Sequence, residues 1–566
     1  MLRLTVLLIF AVLACAQDRW VEYRFGPFHV VTNAGEREGR DTLAQLTQFR
    51  HALGRLTGKT DVVSTWPIRI LLFKAAKQVP ASAGGLSLGR DAYTGALAAR
   101  QPLPRPMLRD CARTLLESNV GRLPRDIERG IVELLSTLET DGLRITIGQP
   151  PQEADRTRDW AKLHMLTVPE NYYGKLRVLV HNLEQGADPE PAYRNAFGKS
   201  PVAIEKEVDA YIRAASYSTT SVNGLTLNPL KDFATQPVDA SVVDLYLADL
   251  YLGRTETNAQ ARGAFEAVLK RTPASAEAAA GLGLAALAAG DANEARKALG
   301  AAVAGGTTSA RALAEYGRLE ADDAKALAAL EKAAKLNPRW AEPYALMARR
   351  EQNKQRRLQY LATAAKLSPR DAGAWQALAL AYQAAGKIPE AADAWASAER
   401  AAGDEERGKI REARAEIDRK RIEFEAAEKK REEEEKRREL EELKQKSVAS
   451  IQAALDKANR GDTPPAPGGK VEPWWEGPQA DAKITGVLRQ VDCLGRRVRL
   501  VIEGADKRPV RLLIRDPGKV VIQGGGDRTL GCGPQRPPRR VTVEYFTKPD
   551  AKLGTAGEAA VIDFPQ

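Results

Sequence analysis

Between residues 24 and 212 the spacing of apolar positions changes period several times. Phe28-His29-Val30-Val31-Thr32 and Ile68-Arg69-Ile70-Leu71-Leu72-Phe73 are short runs dense in β-branched and aromatic residues, and they predict strands. Between them Leu43, Leu46, Phe49, Leu53 and Leu56 recur at helical spacing and predict a helix over 35–57. Further helices are expected around 105–119, 124–139, 170–185 and 201–214, giving an α+β unit over 20–216 and a connector at 217–241. From 242 to 402 the pattern is almost wholly helical and internally repetitive. Residues 403–460 lack Pro, and lack Gly after Gly408, so one long helix is predicted there. A Pro- and Gly-rich linker at 461–479, carrying Trp474 and Trp475, precedes short strands at 484–491, 496–503, 509–514, 519–523, 540–547 and 558–564. The fold class that follows is multidomain and mainly α: an α+β head, an α-solenoid, a long charged helix and a small C-terminal β-barrel or sandwich.

The first residues, MLRLTVLLIFAVLACAQDRW, put Arg3 before an apolar run from Leu4 to Leu13 that ends in Ala14, Cys15 and Ala16. A run of that length closed by small residues reads as a secretory signal over 1–16 and not as a spanning helix. Two readings stand: cleavage after Ala16 for soluble export, or lipidation of Cys15, since Val12-Leu13-Ala14-Cys15 resembles a bacterial lipobox. Either sends the mature chain to the periplasm, envelope or exterior, and no nucleic-acid partner is expected. In such a compartment disulfides persist, so Cys493 and Cys532 are candidates for one bridge and Cys111 for a buried free thiol.

The net charge of +11 is unevenly placed. Asp404 to Lys446 holds fifteen basic and sixteen acidic residues, with acid-before-base pairs such as Glu425/Lys429 and Glu433/Arg437 one turn apart. Ile410, Ile417 and Phe424 recur every seven residues, as in a coiled coil, but Arg431 takes the next place. The alternative is a solvated spacer helix; about 50 residues would extend roughly 75 Å. Residues 481–566 carry sixteen basic and ten acidic residues, Arg496, Arg497, Arg499, Arg536, Arg539 and Arg540 among them, so this segment is modestly basic.

Aligned at a period of about 34 residues, the helical stretch resembles tetratricopeptide repeat proteins. The first copy has Leu245, Ala261, Phe265 and Pro273, and the second has Leu282, Gly283, Ala295 and Leu299. The last has Trp375, Leu378, Tyr382, Gly386, Ala391, Trp395 and Ala398, with two shortened copies between, closed by Pro338 and Pro369. The resemblance implies about five helix pairs stacked into a superhelix with a groove for a protein or peptide.

Residues 107–148 resemble the active-site region of gluzincin-type (peptidase MA-like) domains that precede such repeats in exported bacterial proteins. Asn119, Leu123-Pro124, Gly130, Glu133 and Ser136-Thr137 hold the frame. Tyr172-Tyr173, residues 192–198 and Glu205 to Tyr211 extend the resemblance over about 24–214. In the family a helix bears His-Glu-x-x-His and a second helix supplies a Glu ligand. Here Arg109 and Arg113 stand at the two His positions, Asp110 at the general-base position and Arg129 at the Glu position. Three cationic groups repel a divalent metal, so the resemblance implies a pseudopeptidase, without metal or cofactor. Two fates are open for the three Arg: a shared pocket for a carboxylate or phosphate, or ion pairs with Asp110, Glu117, Glu128 and Glu133. His29, His51, His164 and His181 lack metal-spaced neighbours, and the Gly524-Gly525-Gly526 run lacks the Lys and helix of a phosphate loop.

The expected function is a non-catalytic exported interaction scaffold that takes a partner in the repeat groove. A lipid-anchored envelope adaptor is the alternative, and an atypical metallopeptidase comes last. Oligomeric state is left open.

Overall fold

The structure, a computed structural model, describes residues 19–81, 84–459, 480–495, 497–524 and 530–565. The proposed signal with Cys15, the Pro/Gly linker, Arg496 and most of the Gly524–Gly526 run lie outside the described residues. Two compact units divide at Leu440.

The first unit opens with the hairpin β1 (Trp20–Phe25) and β2 (Phe28–Thr32), followed by α1 (Glu36–Thr57), β3 (Ile68–Phe73), β4 (Ser87–Leu88) and β5 (Tyr93–Ala98). Then come α2 (Arg105–Asn119), α3 (Arg125–Leu135), β6 (Glu139–Asp141), β7 (Arg144–Ile147), α4 (Arg158–Met165), α5 (Leu176–Glu184), α6 (Pro189–Phe197) and α7 (Pro201–Ala214). β8 (Thr220–Asn223), α8 (Pro229–Asp232) and β9 (Gln236–Val238) complete the head. Its main sheet has the order β4-β5-β3-β2-β1-β9, with β2, β3 and β5 parallel. The span 217–241, expected as a connector, is therefore part of the head: β8 pairs with β7, and β9 pairs with β1 through Trp20↔Val238.

β3 explains how the head is covered. All six of its residues are buried. Ile68, Ile70 and Leu72 face the core shared with α1 and α2, while Leu71 and Phe73 pack with Val243 and Leu250 of α9 (Ala240–Tyr251). A strand apolar at nearly every position needs cover on both faces. Here the second cover is the first helix of the repeat array.

The array consists of five pairs: α9 with α10 (Asn258–Arg271), α11 (Ala276–Ala288) with α12 (Ala292–Ala304), α13 (Ala310–Leu319) with α14 (Asp323–Leu336), α15 (Glu342–Arg350) with α16 (Lys354–Leu367), and α17 (Ala372–Ala384) with α18 (Ile388–Ala401). The first helices begin at Ala240, Ala276, Ala310, Glu342 and Ala372, so each repeat is shorter than the one before it. Small residues let the helices approach: a Cβ on Gly281 would lie 2.2 Å from the Phe265 ring. Ala261, Phe265, Ala295, Leu378, Ala391, Trp395 and Ala398 are buried, and Leu245, Leu282, Trp375 and Tyr382 pack at the seams. Leu299 lies 2.6 Å from where a Cβ on Gly283 would stand.

α19 (Asp404–Asn459) is one continuous helix of 56 residues, about 84 Å long. Ile410 and Ile417 form neither a free coiled-coil seam nor part of a fully solvated spacer: they are buried against Trp395, Ala398 and Ala401, where they close the last repeat.

In the second unit β10 (Ala482–Leu494), β11 (Arg497–Glu503), β12 (Pro509–Ile514), β13 (Val521–Gly524), β14 (Gly533–Phe546) and β15 (Gly557–Phe564) form one sheet of order β12-β11-β10-β14-β15-β13. β12 also pairs with β15, closing the sheet on itself around Leu488, Leu500, Ile502, Leu512, Val541 and Ile562. β14 starts at Gly533, well before the strand expected at 540–547. Leu488 pairs with Arg539 and Gln490 with Pro534, so Pro537 and Pro538 sit in an irregularity that needs no ladder donors. Cys493 and Cys532 are disulfide-bonded, Cα atoms 5.7 Å apart.

Candidate functional site

The residues that the peptidase resemblance singles out lie on α2 and α3. Leu108, Cys111, Ala112 and Leu115 of α2 are buried, which leaves Arg109, Asp110 and Arg113 on the outer side. Pro124 is the N-cap of α3, and Asn119 bridges the turn: its Oδ1 accepts from Val63 N–H (2.9 Å) and its Nδ2 donates to the Val63 and Leu115 carbonyls (2.6 Å each). Gly130 lets α4 close in, since a Cβ there would lie 2.3 Å from Leu163 Cδ2 and 2.5 Å from the Asp159 carbonyl.

Arg109 is bound to Glu133, donating from Nε at 2.9 Å and from Nη2 at 2.8 Å. Arg105 adds a second guanidinium to Glu133 at 2.9 Å and also reaches Ser136 Oγ (3.1 Å) and Asp155 (2.8 Å). Asp110 is fixed by Leu86 N–H at 2.9 Å and by Arg113 at 3.0 Å. Arg129 is exposed. Glu128 accepts from Leu123 N–H at 2.9 Å and from Arg370, which arrives from the turn before α17.

A cleft of about 420 Å³ remains here, lined by Arg113, Arg129 and Arg370 but equally by Glu117, Glu128, Glu133 and Asp159. Arg109 does not line it, so the three Arg do not converge on one anion site; Arg109 and Arg113 form the ion pairs that were the alternative. Burial, reinforced by Asp126, raises the Asp159 carboxyl, and burial next to Asp110 pushes the Cys111 thiol up.

The four His serve separate ends. His164 is buried: Nε2 lies 3.0 Å from the Gly148 carbonyl and 2.9 Å from that of Ser218, while Tyr211 O–H donates to Nδ1 at 2.8 Å. Burial holds its ring below the ordinary imidazole value and favours the neutral form, although the two carbonyls act the other way. His29 stands 3.4 Å from Glu22, His181 is exposed on α5, and His51 lines a groove on the far half of α1.

The sequence reading missed the junction of head and array. Arg90 is buried between them: its Nε and Nη2 each donate to Asp249 of α9 at 2.9 Å, its backbone N–H does so at 3.0 Å, and Nη1 reaches Glu277 at 2.9 Å. Arg69 lies 3.7 Å over the Tyr246 ring and pairs with Asp91. Arg311 of α13 donates to the Leu88 and Gly89 carbonyls at 2.8 and 2.9 Å, capping the edge strand β4 with side-chain donors. Trp66 meets Trp340 with ring centroids 4.9 Å apart, and Asn337 Nδ2 donates to the Thr65 carbonyl. The one sequence signal for this junction is the apolar run of β3.

No protein-family model and no curated protein matches the chain. Among solved structures it is similar over part of its length to PilF of Pseudomonas aeruginosa (18% identity, TM-score 0.27, covering 31% of this chain and 88% of that one). It is also similar to a thermophilic TPR protein of Thermus thermophilus (26% identity, TM-score 0.22, covering 31% and 98%). YrrB, described as a TPR protein with an unusual peptide-binding site, is similar at 17% identity and a TM-score of 0.24, covering 29% and 94%.

Proposed function

We infer that this chain is an exported, non-catalytic protein-interaction scaffold in which a degenerate peptidase-like head is built into a tetratricopeptide array. The observation that carries this reading is the Arg109–Glu133 pair. A zinc site needs several neutral or anionic donors on one centre. At the position of the first metal-binding His the chain has a guanidinium, and it turns the nearest carboxylate into that cation's partner at 2.8 Å. What the array offers a partner is the surface that the head leaves free. On α17, Leu380 is a large apolar side chain left 56% exposed, a position at which a bound segment can pack.

Deleting the array would strip the cover from β3, so the fitting test is a point substitution in the intact chain. Co-purification from envelope extract is compared between the unaltered protein and Leu380→Asp. Loss of partners with an unchanged thermal midpoint is the expected result; an identical partner set contradicts binding at this face.

A further inference from the structure

We propose that the head carries a binding site for a small organic anion, in the groove between the C-terminal half of α1, the β7–β8 pair and the turn before α5. The groove has a volume of about 1030 Å³, and none of the residues lining it carries a carboxylate. Its rim holds Arg50, His51, Arg55, Lys59, Lys175 and Arg177. Among the described residues Lys59 is held by Glu184 at 2.9 Å, whereas Arg50, Arg55, Lys175 and Arg177 have no ion-pair partner. Elsewhere on this head Arg105, Arg109 and Arg158 are each matched to an acid. An unmatched set round one concavity concentrates positive potential there. Burial, together with the nearby Arg55 and Arg50, depresses the His51 ring, which is consistent with that field.

Thr60, Thr167 and Thr220 add hydroxyl-bearing side chains to the lining. The floor is apolar, formed by Val62, Ile147 and Leu176, and Tyr173 stands 48% exposed at the mouth. Cations at the rim and an apolar floor with an aromatic edge describe an oxyanion, carboxylate or phosphate, borne on a compact partly apolar body. A groove of this size accommodates such a molecule.

The test is calorimetric titration of the full chain with phenyl phosphate, inorganic phosphate, phenol and tetraglutamate. Phenyl phosphate is expected to bind at least about tenfold more tightly than inorganic phosphate, and phenol is expected not to bind. Binding should weaken as salt is raised, because the rim charges are solvent-facing. Arg55→Gln/Arg177→Gln should weaken phenyl phosphate by about tenfold or more. If the double variant folds poorly, Lys175→Gln, at an exposed position, replaces it. Absence of phenyl phosphate binding, binding indifferent to these substitutions, or tighter binding of tetraglutamate would each overturn the proposal.

Discussion

Asp249 is fully buried and accepts three hydrogen bonds from Arg90, two from the guanidinium and one from the backbone. Removing one member of such a pair strands the other charge in a low-dielectric site, which typically costs about 3–5 kcal/mol. Asp249→Ala should therefore lower stability by about that amount in urea unfolding, and Arg90→Met/Asp249→Leu should recover most of it. Asp91 gives the same junction a pH dependence. Burial acts to raise its carboxyl, but Arg69 and Arg90 outweigh burial and hold it at about 2. A folded-state pKa below the unfolded value of about 3.9 contributes stability that is complete above about pH 4 and is lost as pH falls toward 2. Acid unfolding followed at a series of pH values should be less steep for Asp91→Asn across that window. These residues were illegible in the sequence, because Arg90 and Asp249 are far apart along the chain and neither belongs to a motif. Arg109, Asp110, Arg113 and Arg129 were legible, since a motif fixes their spacing; their partners were only half so. Glu133 was within view, whereas Arg370 reaches Glu128 from the repeat array.

Periodicity predicted most elements, because a helix that buries one face repeats once per turn and a strand repeats at every second position. β3 and α2 match their predicted spans, and the helix expected over 170–185 begins only at Leu176, after a turn at 169–174. The heptad spacing of Ile410 and Ile417 marks an apolar stripe, but spacing alone does not name the surface on which a stripe packs. That surface is α18 of the same chain. Ile417→Ala should accordingly cost about 2–5 kcal/mol, while Leu443→Ala, at a position 63% exposed on the same helix, should stay within about 0.5 kcal/mol. Chemical denaturation of the two variants separates the capping role from a general effect on helix α19.

At the scale of the molecule, the head and the array form one folded body. β3 is covered on one face by α1 and α2 and on the other by α9, and α13, the α14–α15 turn and the α16–α17 turn all contact the head. Residues 240–402 expressed alone would expose Val243, Leu250 and the Tyr246 ring, so that fragment should lose helicity or self-associate relative to the intact chain, as circular dichroism and size-exclusion chromatography would report. The central claim is the proposal that the head serves as a structural part of the array, with guanidinium groups standing where a peptidase-like domain would hold its metal ligands. Metal analysis of the full-length protein after equilibration with zinc and dialysis tests that claim most directly. The account predicts zinc well below one atom per chain and no peptide hydrolysis in the same sample. One tightly held zinc per chain, lost on Glu133→Gln, would contradict it.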